Sequence, residues 1–173
     1  MNVRVRPATV SDAEAIAGVH VASWRDAYVG LVPQDFLDGL DPTRRADGWQ
    51  RILTSAEPPR SGAFVADDGR RVVGFAHSCP SRDQGASPGT GELTAIYALS
   101  SAWGAGVGRA LMSACVQSMS SAGFAIATLW VLDGNTRARH FYEAAGWTLD
   151  GEERIEQLPG FAVREVRYQR ALG

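Results

Sequence analysis

The sequence predicts a mixed α/β fold, and three observations carry that prediction. Short runs of strand character interleave with segments whose apolar residues recur at helical spacing. One helical segment, 107–119, joins two strand-like runs, 92–99 and 125–132, which makes those strands parallel neighbours. Gly, Pro and Asp mark the caps and turns between runs. The order reads β-α-α-β-β-β-α-β-α-β-β, a mixed central sheet of about six to seven strands flanked by about four helices.

Each element has its own reason. Residues 3–6 alternate Val3 and Val5 with Arg4 and Arg6, as a strand does. Ser11 reads as an N-cap, with Glu14 completing a capping box. The helix behind it carries Ala13, Ile16, Ala17, Val21, Trp24 and Tyr28 on or near one face, until Gly30 and Pro33 end it. Asp41-Pro42 supplies the cap and first residue of a second helix that reaches Leu53. After a loop over 57–62 comes a hairpin: strand 63–66, a turn at Asp67-Asp68-Gly69-Arg70, and return strand 71–79. Residues 80–91, polar and rich in Gly, Ser and Pro, read as a mobile loop. The helix opened by the glycine turn places Val107, Leu111, Ala114 or Cys115, and Met119 on one side and stops at Gly123. Residues 125–132 (AIATLWVL) form a buried strand, Asn135 starts a helix that stops at Gly146, and 147–149 is a short strand. Residues 150–161 read as an acidic connection, before a last strand over 162–170.

The stretch 92–111, ELTAIYALSSAWGAGVGRAL, carries the first functional signal. Gly104, Gly106 and Gly108 bare the backbone where a helix begins. Free N–H groups and the positive end of the helix dipole there make an anion site. No Lys-Ser or Lys-Thr follows, so it is not a Walker A loop, and Arg109 and Leu111 stand where a dinucleotide fingerprint needs its third glycine. On the turn alone, a phosphate site and a turn tightened for packing stay equally open.

Residues 135–147, NTRARHFYEAAGW, resemble the N-x-x-A-x-x-F-Y-x-x-x-G-[FW] segment of the GNAT superfamily of N-acetyltransferases. The glycine turn is similar to that superfamily's acetyl-coenzyme A loop, [QR]-x-x-G-x-[GA], with Gly106 and Gly108 as its glycines. RPATVSDAEAIAGVHVASWRDAYVGLVP looks like the opening of many bacterial members, so the likeness spans nearly the whole chain. It implies a GNAT fold and an enzyme that moves the acetyl group of acetyl-CoA to a primary amine of a small molecule or peptide, by direct attack in a ternary complex. It further implies roles. Glu92 is the candidate general base and Tyr142 the acid beside the coenzyme sulfur. Tyr97, Ala98, Trp103, Gly104, Ala105, Gly106, Val107, Gly108, Arg109 and Asn135, with Tyr142, would hold the coenzyme. Trp24, Tyr28 and Trp130 would wall the substrate pocket. A β-bulge near Tyr97 and Ala98 is expected to splay the central strand from the next and to supply the oxyanion donor. Trp103 departs from the usual Gln or Arg, so Arg109 is expected to bring the positive charge. Asp150, Glu152, Glu153 and Glu156 border the acceptor site in relatives, as an attractor of cationic amines or as a solvated face.

Composition bounds the remainder. At 173 residues and 45% hydrophobic, the chain is expected to be one globular domain over 1–173. A net charge of -2 offers no electrostatic grip on nucleic acid or an anionic membrane. MNVRVRPAT lacks an apolar signal core and no apolar run approaches ~18 residues, so a cytoplasmic location is expected. Cys79 and Cys115 read as buried reduced thiols, and no Cys/His spacing suggests a metal. A homodimer through the last strand is open. Gly85-Ala86-Ser87-Pro88-Gly89, with Asp133 and His140 after it, satisfies a serine-hydrolase pattern. The segment is a loop before a strand, however, and Pro88 has no N–H for an oxyanion. A non-catalytic acyl-CoA sensor would keep the glycine loop and lose the chemistry.

Overall fold

The structure, a computed structural model, describes residues 3–173. Strand β1 (Arg4–Pro7) leads into a 3-10 turn at Val10–Asp12 and helix α1 (Ala13–Ala27). The helix start differs from the expected Ser11–Glu14 box. Arg6 reaches from β1 to Asp12 through two 2.8 Å hydrogen bonds, and the Thr9 N–H donates to Asp12 Oδ2 at 2.8 Å. Thr9 is therefore the capping residue and Asp12 the acid that reaches back, because the arginine draws Asp12 into a buried position. Hydrogen bonds from Arg6 are the largest cause that lowers the Asp12 carboxyl from 3.8 to about 2. Its stabilisation is complete above the unfolded value and is lost as pH falls toward the folded one. That loss is expected to reach about 2 kcal/mol. Urea midpoints measured down the acid limb should show it in the native chain and not in Asp12→Asn; parallel acid limbs would refute it.

Helix α2 (Gln34–Asp38) was not expected from the sequence. It is a tertiary product: Leu37 is fully buried, and Arg25 donates to the Leu37 and Leu40 carbonyls at 3.1 and 2.8 Å. Helix α3 (Pro42–Thr54) begins as read, with the Thr43 N–H donating to Asp41 Oδ1 at 2.8 Å. The remaining elements are β2 (Gly62–Asp67), β3 (Val72–Pro80), β4 (Thr90–Ala98), α4 (Val107–Ser121), β5 (Ile126–Leu132), α5 (Thr136–Ala144), β6 (Thr148–Leu158) and β7 (Phe161–Ala171). All seven strands form one sheet, ordered β1-β2-β3-β4-β5-β7-β6. The β4–β5 pair is parallel, as the joining helix requires.

Helices cover both faces of the sheet. On one side α4 presents Leu111, Cys115 and Met119 to Ala76, Ala127 and Leu129, with Tyr142 and Trp147 beside them. On the other, Ile16, Ala17, Trp49 and Leu53 of α1 and α3 meet Val65 and Phe75. Covering both faces is why β3 is buried from Val72 to Ser78 and reads as a near-continuous apolar run. Side chains with no exposed surface, such as Ile16 and Leu111, each contribute about 1.5–3 kcal/mol.

Two expectations fail at the C-terminal end. Residues 150–158 are not a connection but most of β6, an eleven-residue strand paired with β7. Its acids meet arginines on the neighbouring strand: Asp150 with Arg167 at 2.7 Å and Glu153 with Arg164 at 2.6 Å. Opposite charges facing across strands offset the poor strand preference of Asp and Glu. The last strand, β7, lies between β5 and β6, so it has no free edge for pairing across a dimer.

Candidate active site

Strands β4 and β5 stay paired for only three positions, Thr90↔Ile126, Gly91↔Ala127 and Glu92↔Thr128. Beyond Glu92 they part, while β4 remains bonded to β3 as far as Gly74↔Ala98. The backbone groups of 93–98 that face β5 are thereby left without a strand partner. The bulge lies earlier than the resemblance implied. Ala95 faces His77 and Leu93 faces Ser78, so Thr94 is the extra residue. Thr94 Oγ1 pins it there, lying 2.6 Å from His77 Nδ1 and donating to the His77 carbonyl at 3.3 Å.

The parting opens a cleft of about 1080 Å³. Every residue singled out above for catalysis, coenzyme or substrate lines it except Ala105. At one end α4 begins behind Gly106, whose φ of +82° only glycine adopts without strain. Among the described residues no side chain caps this helix and its first turn has no acid, so its leading N–H groups are available to an anion. Gly108 keeps the wall low: a Cβ there would come within 3.3 Å of the Phe141 ring.

Trp103, in the Gln/Arg position, lends its indole N–H to the Ala98 carbonyl at 2.9 Å. Over its ring, 3.2 Å from the centroid, lies the Arg137 guanidinium. Arg137 has no acidic partner among the described residues, and burial lowers its pKa. An unneutralised cation thus stands beside the glycine loop, stacked on the tryptophan that occupies the position where Gln or Arg was expected. Arg137 was missed in the sequence, although its place in the first turn of α5, two residues after Asn135, was a usable signal. Asn135 itself caps α5, its Oδ1 accepting from the Ala138 N–H at 3.1 Å. The free helix end, the low glycine wall and Arg137 fit a phosphate-bearing coenzyme.

At the middle of the cleft lie Glu92 and Tyr142. Glu92 is 2% exposed, and Arg82 holds it three ways. The Arg82 backbone N–H and Nε donate to Oε2 at 2.9 and 3.2 Å, and its terminal nitrogen donates to Oε1 at 2.6 Å. Of the roughly four lone-pair positions of a carboxylate, one on Oε1 remains. The Tyr142 ring is packed in the core, and its hydroxyl has no hydrogen-bond partner among the described residues. Burial pushes this phenol well above its usual value, so it is a proton donor at any working pH.

The far end is aromatic. The Tyr28 and Tyr97 hydroxyls lie 3.2 Å apart, and Trp24 packs edge-on against Tyr28 at 4.6 Å. Trp130 sits between the guanidiniums of Arg154 and Arg167, at 4.3 and 5.5 Å, and donates to Asp83 at 2.9 Å. Arg167 also bonds Asp83 at 2.9 Å. With Arg82 on Glu92, these contacts fasten the front of the 80–91 loop, which had read as mobile throughout.

Other candidate chemistry is spoken for. Ser87 lies exposed in that loop with its Oγ accepting from the Gly89 N–H at 3.2 Å, and Asp133 is taken by Arg139 at 2.6 Å, so no hydrolytic relay is assembled. Burial raises the thiols of Cys79 and Cys115 to about 11 and about 12. Cys79 is only partly buried, unlike the core position expected for it. Among the described residues no helix is long and apolar enough to cross a membrane, and no cluster of His, Cys, Asp or Glu is arranged for a metal.

Comparison with known proteins gives concordant results. Residues 21–147 match the model of the acetyltransferase (GNAT) family. An uncharacterized N-acetyltransferase of Bacillus subtilis is 35% identical over 166 residues, covering 95% of this chain and 90% of that one. Among solved structures, the PaiA N-acetyltransferase of Thermoplasma acidophilum in complex with coenzyme A is similar at a TM-score of 0.74 and 16% identity, over 99% of both chains. A YncA acetyltransferase of Salmonella typhimurium, solved with acetyl-CoA, superposes at 0.72 and 18% identity, over 100% of this chain and 95% of that one.

Proposed function

The chain belongs to the acetyltransferase (GNAT) family and is an acyltransferase, and from that premise we propose that it transfers the acetyl group of acetyl-CoA to a primary amine by direct attack in a ternary complex. The observation that carries the reading is the parting of β4 from β5 between a free helix N-terminus and a buried, unpartnered phenol. Acetyl-CoA supplies an acetyl group activated as a thioester. The first turn of α4 and Arg137 hold its phosphates. The open edge of β4 around Tyr97 and Ala98 offers backbone N–H to the oxygen on which charge develops. Tyr142 donates its hydroxyl proton toward the leaving sulfur, and Glu92 takes the proton of the amine through a water seated on its one free Oε1 position. Trp24, Tyr28 and Trp130 shape the acceptor end.

Calorimetric titration with acetyl-CoA, using desulfo-CoA and ATP as controls, tests the donor half. Micromolar binding selective for the coenzyme, followed by thiol release on adding amines, is the expected result. No binding would overturn the reading. Arg137→Ala is expected to weaken acetyl-CoA binding about tenfold, the loss of one charge-assisted contact, with a larger deficit at low salt. Equal affinity at both ionic strengths would remove Arg137 from the phosphate site.

A further inference from the structure

The acceptor's chemical class can be argued further, on the premise of the acyl-transfer reading above. The acceptor end is bounded by α1, α3, β4 and the β6–β7 hairpin, and most of its charges are paired. Arg82 is matched by Glu92 at 2.6 Å, and Arg154 by Glu165 at 2.7 Å and more loosely by Glu156 at 3.8 Å. Arg45, from α3, lines the same cleft half-buried, and its guanidinium makes no hydrogen bond or ion pair with any described residue. It is near enough to bias both His20 and Tyr97.

His20 stands on the adjoining wall. Its Nδ1 accepts the Trp49 indole N–H at 3.1 Å, a tautomer that puts the imidazole proton on Nε2. That nitrogen has no partner among the described residues. Burial, with Arg45 as the second cause, lowers the imidazole to about 3, so it is a neutral donor near neutral pH. Ser23, three residues on and on the same face of α1, is 2% exposed with a hydroxyl that also has no partner. Trp24 Nε1 approaches the Tyr97 hydroxyl without completing a hydrogen bond.

Buried donors without acceptors are costly, and folded chains seldom keep several together. Here two of them, Ser23 Oγ and Trp24 Nε1, share one wall with the unpartnered His20 Nε2 and an unpaired cation. A polyamine or an aminoglycoside would leave Arg45 and the neutral donors without a partner, whereas a compact anion would satisfy them at once. We propose that the acceptor is an amine that also bears a carboxylate, of the amino-acid class, with the carboxylate held by Arg45, His20 Nε2 and Ser23 Oγ and the amine directed toward Glu92 and Tyr142.

The test is thiol release from acetyl-CoA with matched acceptors that differ only at the anion: free amino acids of several side-chain classes, their amides and methyl esters, and putrescine. The free acids are expected to lead in kcat/KM by about tenfold or more, the weight of a charge-assisted contact. Arg45→Gln should abolish that lead by raising KM for the acids with kcat and acetyl-CoA affinity little changed, and Arg45→Lys should restore part of it. Amides, esters or putrescine acetylated as well as the acids, or a preference that survives in Arg45→Gln, would overturn the acceptor class and leave the acyltransferase standing. Coenzyme binding with no thiol release from any of these amines would overturn both.

Discussion

Replacing Tyr142 by phenylalanine is expected to lower turnover about a hundredfold, the lower end of what a positioned proton donor supplies, with acetyl-CoA affinity and stability nearly unchanged. The separation follows from where the group sits. The ring packs among Phe141, Trp147 and Tyr168, and phenylalanine keeps those contacts. The hydroxyl bonds nothing among the described residues, so removing it leaves no acceptor there unsatisfied. Because burial raises the phenol, its proton stays on through the range in which an ordinary tyrosine begins to ionise near ~10. The native enzyme should therefore show no alkaline loss of rate that disappears in Tyr142→Phe below that pH. By the same sign, any stability the raised pKa contributes is complete below the unfolded value and is lost only above it. Single-turnover rates decide the matter, since steady-state turnover can be limited by product release. Equal single-turnover rates in the two proteins would remove Tyr142 from the chemistry.

What the sequence discloses about this molecule is its local grammar. Helices α4 and α5 were legible because Gly106, Asn135 and Gly146 punctuate them and their apolar residues keep helical spacing. What it conceals depends on residues far apart in the chain. The acids of β6 look like a solvated run until Arg164 and Arg167 are placed across from them on β7. Helix α2 is too short to announce itself and exists because Arg25 and the buried Leu37 tie it down. Glu92 looks like a free carboxylate at a strand end, and only the fold of the 80–91 loop brings Arg82 round onto it. The bulge settled on Thr94 because a histidine on the neighbouring strand bonds its side chain. Arg137 became visible as a cation of the site only when α5 laid it over Trp103. Residue types that suit the chemistry could thus be named from the chain, while their charge partners, which decide what each can do, could not.

Gly108→Glu is the second change expected to be severe: acetyl-CoA binding should fall by about three orders of magnitude. The figure comes from a carboxylate some 4 Å from a phosphate, a repulsion of about 4 kcal/mol at the effective dielectric of a protein surface. Bulk adds to it, since a Cβ at this position would press on the Phe141 ring at 3.3 Å, next to Tyr142. Two companions separate the causes. Gly108→Ala brings the bulk without the charge, and Phe141 need yield only slightly, so a loss of about tenfold or less is expected. Gly106→Ala brings neither to the cleft but strains a φ of +82°, costing about 1–2 kcal/mol, a cost read in the melting temperature before it is read in affinity. Raising the salt should recover part of the binding in Gly108→Glu and none in Gly108→Ala, because only the first loss is electrostatic. If Gly108→Glu binds acetyl-CoA with native affinity, the phosphates do not lie on α4, and Arg137 and Trp103 would lose their ligand with them.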